Sequence, residues 1–171
     1  GLSIEDSTYD ERNPLRDIDD AVKRMRAARM AIDESRTGTL LVGRAENFIV
    51  GRPDLEDAIR RLKAYSEAGA DCLYAPGIRT RKQISAVVKA VAPKPVNLLV
   101  GFASDLTVAD IAALGVRRIS VGGALSRVAW TATIAASKKL LDEGRFDGFA
   151  NLVTHGDMGK LFAEDMKRRP G

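Results

Sequence analysis

The sequence predicts an α/β fold built on a parallel sheet. Three observations carry that expectation. Five short apolar runs alternate with segments of helical periodicity, each run is parted from the next by a helix rather than a tight hairpin turn, and glycines or prolines mark the junctions. Strands joined through helices run parallel, and their crossovers are right-handed. A closed barrel and an open doubly wound sheet both satisfy this pattern. A helix-Gly-strand-Gly phrase even recurs, AGADCLYAPG resembling ALGVRRISVGG.

Residues 2–5 form the first expected strand, and 7–14 (STYDERNP) a polar loop. The loop is long for a strand-to-helix connection, which makes it a candidate functional loop. A helix is expected over 15–35, where Ile18, Ala21, Val22, Met25, Ala28 and Ile32 recur at spacings of three and four. Gly38 is expected to cap its C-terminal end. The second strand, 40–44, ends in Arg44. Pro53 and Asp54 start a second helix, with Glu56 and Asp57 in the first turn, where the helix dipole favours acids. Its buried stripe is Leu55, Ala58, Ile59, Leu62 and Tyr65, and Gly69 stops it.

The third strand is 72–75. Thr80 and Gln83 have capping-box spacing and open a third helix, which Pro93 and Pro95 end. The fourth strand is 96–100, a short helix covers 107–114, and the fifth strand is 116–121. Gly122-Gly123 precede a long helix over 124–143. After Asn151 a tail helix follows, amphipathic through Met158, Leu161, Phe162 and Met166 and expected to pack on a neighbouring subunit of a homo-oligomer.

With 171 residues, 45% hydrophobic and 29% charged, the chain is globular and fits one domain. The net charge of +4 is spread along it, and aromatics, at 5%, do not interleave with the basic runs. A nucleic-acid partner is therefore not expected. A single cysteine, Cys72, excludes an intrachain disulfide and points to a reducing compartment. No apolar run approaches the ~20 residues of a membrane span. These features lead to an expected cytoplasmic protein with no membrane partner. Gly1 enters a buried strand almost directly, so the chain is expected to lack its beginning.

The strand ends carry the candidate chemistry. In α/β folds, sites are built at the carboxyl ends of strands. Glu5 and Asp6 follow the first strand; paired carboxylates there can hold Mg²⁺, or serve as a helix cap or loop salt bridge. Arg44 can grip a carboxylate or phosphate bidentately, or can pair with Glu46 or Glu5. Glu46 shares that ambiguity. Asn97 and Ser120, inside apolar strands, need hydrogen-bond partners from a ligand or from neighbouring backbone. Gly122 and Gly123 can receive an anion at a helix N-terminus, or simply permit a tight turn. Cys72 begins a strand and is expected in packing, and His155, the only histidine, as a surface or capping residue. One histidine and no nucleophile motif argue against a hydrolase triad.

Five phrases together, GLSIEDS, LLVGRAENF, AIRRLKAYSEAGADCLYAPG, KPVNLLV and LGVRRISVGGAL, resemble the isocitrate lyase and phosphoenolpyruvate mutase superfamily, in order and to about residue 145. The resemblance implies a (β/α)8 TIM-type barrel, this chain covering about strands 4–8 (residues 1–145) with a C-terminal helical tail (146–171). It implies Mg²⁺-dependent lyase- or mutase-like chemistry on small 2-oxo or 2-hydroxy acids, cleaving or forming C–C or P–C bonds through an enolate-like intermediate. Glu5 matches the acid that helps hold Mg²⁺, Arg44 the arginine that binds the substrate's carboxylate or phosphonate, and Glu46 the acid beside it. Asn97 sits where the family's seventh strand reaches the substrate.

Two departures shape the expectation. Five strands do not close an eight-stranded barrel, and the family's paired-aspartate metal ligands belong to the three strands not seen here. The lyases' Lys-Lys/Arg-Cys-Gly loop is replaced by STYDERNPLRD, without cysteine. A mutase-, hydrolase- or decarboxylase-like member therefore fits better than an isocitrate or methylisocitrate lyase. The competing expectation is an inactive α/β fragment or degenerate homologue with a structural or binding role. Removal of Arg44 is expected to abolish turnover with little loss of stability.

Overall fold

The computed structural model describes residues 1–169. It falls into two compact units, Gly1–Gly122 and Gly123–Gly171. In the first, β1 (Leu2–Glu5), β2 (Leu41–Arg44), β3 (Cys72–Tyr74), β4 (Val96–Leu99) and β5 (Arg118–Ser120) alternate with α1 (Ile18–Ser35), α2 (Leu55–Glu67), α3 (Arg81–Val91) and α4 (Val108–Ala113). The strands lie side by side in the order β1-β2-β3-β4-β5, and every neighbouring pair is parallel. That order decides between the two architectures the sequence left open. A doubly wound sheet reverses its strand order at a switch point. Here no reversal occurs, so successive right-handed crossovers lay the helices on one face, as in a barrel wall.

Alternation of side chains separates the two faces of the sheet. Leu41, Leu73, Val96 and Leu98 enter a core shared with Met25 and Ile32 of α1, Leu62 and Tyr65 of α2, and Ile84 and Val87 of α3. Gly43 belongs to this helix-facing set. A Cβ there would lie 2.8 Å from the Tyr65 Cβ and 3.1 Å from that of Ala70, so only glycine lets α2 approach β2 this closely. The opposite set forms one register row at the strands' carboxyl ends: Glu5 opposite Arg44, Arg44 opposite Tyr74, and Tyr74 opposite Asn97.

Local signals explain most element boundaries. Asp54 caps α2 by accepting from the Glu56 and Asp57 amides, and Thr80 with Gln83 closes the expected capping box on α3. Thr107 and Asp110 form a second such box on α4. Helix α1 begins at Ile18, not at residue 15. The reason is that Leu15 bridges Ser7 and the Arg16 amide donates to the Asp6 carbonyl, which pins the base of the 7–14 loop. Arg36, not Gly38, takes the left-handed capping position of α1. In α2 the buried stripe is turned from the one expected: Arg61 is buried among Ala58, Leu62 and Tyr65, while Ile59 is only partly covered.

The second unit contains α5 (Ala124–Glu143), a 3₁₀ turn (Asp147–Phe149) and α6 (His155–Arg168). The turn packs against α5, where Gly148 lies close to Ala136 and Lys139 pairs with Asp147 at 2.6 Å. His155 is the first residue of α6, and Thr154 caps that helix by accepting the Asp157 amide. No helix among the described residues is long and apolar enough to cross a membrane.

Candidate active site

Arg44 ends β2 with its guanidinium between two acids. Nη1 lies 3.2 Å from the Glu5 carboxylate, Nε donates to Glu46, and the group sits over the Tyr74 ring at 5.3 Å. The register row sets Glu5 and Tyr74 on either side of Arg44 on adjacent strands, and Glu46 lies two residues on along the chain. Burial works against the Arg44 charge, but the hydrogen bond and charge of Glu46, then the charge of Glu5, outweigh it, and its pKa is raised. Burial pushes the Glu46 carboxyl up, and its bond to Arg44 only partly offsets this. Glu46 is thus a carboxylate that holds a proton more readily than an exposed one, a property suited to acid–base work.

Tyr9, in the 7–14 loop, donates its hydroxyl to the other oxygen of Glu5, and that bond raises the phenol's pKa. Asn97 is buried; its Nδ2 donates to the Ser120 hydroxyl at 3.0 Å, while its Oδ1 finds no partner among the described residues. A buried carbonyl oxygen without a donor is costly and favours a ligand that brings one. Gly122 ends the first unit with φ 52°, a left-handed conformation that disfavours any side chain, so the tight turn alone accounts for a glycine there. Gly123 caps α5 in the second unit with no side-chain bond.

Asp6 does not join Glu5 in a metal site. It is 1% exposed and points away, accepting from the Glu46 amide at 2.9 Å, from Arg61 at 3.1 Å and from the Tyr65 hydroxyl. Arg61 also donates to the Arg16 carbonyl at 2.9 Å and to Asp57 at 2.7 Å, and Asp57 accepts Asn47 at 2.7 Å. The Tyr65 phenol is pushed up by burial and then by the Asp6 charge, so it stays a donor. Sequence reasoning missed this network and Tyr9. Asp57, Arg61 and Tyr65 stand four residues apart on one helical face, a readable signal; nothing in the sequence pointed to Tyr9 within its loop.

Among the described residues no group of three or more His, Cys, Asp or Glu is gathered to hold a metal. Glu5 is the one carboxylate of the row; Arg44 and the Tyr9 hydroxyl each meet one of its oxygens, leaving further lone pairs for a cation. That fits Mg²⁺, which is commonly held by one or two carboxylates, with water and substrate oxygens completing its shell.

Asp57 makes the network acid-sensitive. Burial alone would raise its carboxyl, but hydrogen bonds from Arg61, Arg60 and Asn47 outweigh this and lower it from 3.8 to about 2. A folded-state pKa below the unfolded one gives stability that is present above about pH 4 and lost as pH falls towards 2. The expected loss is roughly 2 kcal/mol. Urea unfolding across that window should show it, and Asp57→Asn should flatten that limb of the profile. An Asp57→Asn profile parallel to wild type would refute the assignment.

Fold and site define a class: a singly wound parallel α/β chain of the TIM-barrel type, with an arginine–carboxylate grip at the carboxyl ends of its strands. The chain belongs to the phosphoenolpyruvate phosphomutase family, whose sequence pattern matches residues 1–141. This places it in the phosphoenolpyruvate mutase and isocitrate lyase superfamily of lyases and mutases. It is 32% identical over 151 residues to an oxaloacetate decarboxylase of Rhodopseudomonas palustris (strain BisB5), covering 84% of this chain and 50% of that protein. A second oxaloacetate decarboxylase, from Paraburkholderia xenovorans (strain LB400), is 36% identical over 107 residues, 63% of this chain and 33% of that one. Among solved structures, a candidate lyase/mutase from Burkholderia cenocepacia J2315 superposes with a TM-score of 0.88 at 42% identity, over 94% of this chain and 58% of the other. A 2,3-dimethylmalate lyase superposes with a TM-score of 0.80 at 26% identity, over 96% of this chain and 59% of the other. The chain thus spans a third to a half of these curated relatives and under three fifths of these solved ones.

Proposed function

We propose that this chain carries the substrate grip of a Mg²⁺-dependent lyase/mutase-like enzyme acting on a small 2-oxo or 2-hydroxy acid, with decarboxylation of an oxaloacetate-type acid as the favoured reaction. One observation supports it above the rest. A single guanidinium between two carboxylates leaves the Glu5–Arg44–Glu46 cluster with one excess negative charge, unsuited to an anion unless a cation joins it. A divalent ion on Glu5 reverses that sign. Bound there, Mg²⁺ would supply positive charge to the substrate's carbonyl and carboxylate oxygens.

In this reading Arg44 holds the substrate's carboxylate and the oxygen on which enolate charge develops. The C–C bond to the departing carboxylate breaks, CO₂ leaves, and the electron pair passes to that oxygen. Glu46, ionised while it grips Arg44, takes up a proton and passes it to the resulting carbanion carbon. The orphaned Asn97 oxygen would accept a substrate hydroxyl or hydrate, while Gly122, in the same unit, stands as a further candidate for anion contact. The oxaloacetate decarboxylase relatives favour C–C over P–C chemistry. The same reading takes the protein as a cytoplasmic homo-oligomer without nucleic-acid or membrane partners.

Calorimetry with oxalate tests the proposal. Binding is expected with Mg²⁺ present and lost with a chelator. A folded protein that binds neither ion nor oxalate would favour the alternative, an α/β unit with a structural or binding role.

A further inference from the structure

Arg61 lies on α2, away from the register row, yet its guanidinium meets three segments that carry site residues. It reaches Asp6, directly after Glu5; the Arg16 carbonyl, at the base of the 7–14 loop that delivers Tyr9; and Asp57, which in turn holds Asn47 beside Glu46. Asp6 passes the restraint on, since one of its oxygens takes Arg61 and Tyr65 while the other accepts the Glu46 amide. All of these groups lie within the first unit, and Asp6, Glu46, Asn47 and Arg61 are buried.

We propose that Arg61 is a positioning residue: through Asp6 it holds the Glu46 backbone where the Glu46 carboxylate can grip Arg44. The inference rests on the reading of Arg44 and Glu46 as the substrate grip. A planar fork with several donors can serve Asp6, Asp57 and the Arg16 carbonyl together. A lysine ammonium is a point donor at the end of a flexible stem and cannot span all three. Tyr65 supports the same carboxylate from the next turn of α2, so its hydroxyl belongs to the device.

The test is Arg61→Lys in the full chain, read by amide hydrogen exchange and oxalate titration. The Glu46 amide is expected to exchange roughly tenfold faster or more, and oxalate affinity to fall by a similar factor, the size seen when supporting partners of a site are lost. The amides of Leu73 and Val96 in the core serve as the internal reference and should keep their rates. Uniform acceleration of all three amides would mean a merely structural role and overturn the inference. So would an unchanged Glu46 amide. If wild-type protein binds no oxalate, the functional reading fails, and the Glu46 amide still decides this one. Should Arg61→Lys not fold, Tyr65→Phe removes one of the bonds to Asp6, with faster Glu46 exchange as the expected result and an unchanged rate as the refuting one.

Discussion

Arg44→Ala is expected to remove oxalate binding. The loss should be about 2–5 kcal/mol, roughly thirtyfold to several thousandfold in affinity, the range for truncating one partner of a buried charge pair. Stability is expected to fall as well, where the sequence alone leads to an expectation of little loss. Glu46 is only 3% exposed, so removing Arg44 leaves a buried carboxylate without its cation. The pH dependence separates the two effects. In wild type, burial already raises the Glu46 carboxyl while Arg44 holds it down. Without Arg44 the pKa climbs further. A folded-state pKa above the unfolded one gives stability that is fully present below the unfolded pKa and lost as pH rises through the folded one. Arg44→Ala should therefore be least stable near neutral pH and recover on acidification, while oxalate binding stays lost throughout. Arg44→Lys retains the charge without the fork, so it should spare stability and still weaken oxalate. Wild-type affinity in a folded Arg44→Ala protein would end the assignment of the grip.

Arg61→Ala is expected to cost about 3–5 kcal/mol of folding stability, the range for breaking a buried ion pair by removing one partner. Two carboxylates, Asp6 and Asp57, would lose their shared cation, and the Arg16 carbonyl would lose a donor. Domains of this size commonly hold only about 5–15 kcal/mol in total, so the variant should shift far along its urea transition. Exposed pairs give the contrast. Lys23–Asp20 joins two side chains that are 75% and 61% exposed, and its removal should change little. An urea midpoint for Arg61→Ala equal to that of wild type would show that the buried network carries no net stability.

Much of the fold was legible because its signals are local. The capping box at Thr80 and Gln83, the acids at the start of α2 and the period of α1 each act within one turn of helix. Glu5, Arg44 and Asn97 could likewise be singled out, since a charge or amide at the end of an apolar strand stands out against its neighbours. That Arg44 could pair with Glu5 or Glu46 was legible, but not that it meets both at once. Asp6 could be read as a second metal ligand beside Glu5 or as a salt-bridge partner, and the structure takes the second course, because adjacent residues at a strand end point in opposite directions. One step along the chain sends Glu5 to Arg44 and Asp6 to Arg61 and Tyr65. Arg61 escaped notice because apolar spacing was read for the buried stripe of α2, and a buried arginine breaks that pattern.

The sequence by itself determined a parallel α/β chain, its element order and the polar residues at the strand ends, because hydrophobic period, caps and turn residues act over a few positions. Only the tertiary structure decided that the strands lie in unbroken sequential order, that Arg44 stands between Glu5 and Glu46, and that Asp6 is committed to Arg61. Those outcomes depend on strand register and on contacts between residues 40 or more positions apart, such as Asp6 with Glu46 and with Arg61. No local pattern encodes such a pairing; it is set when side chains from separate elements compete for the same buried charge.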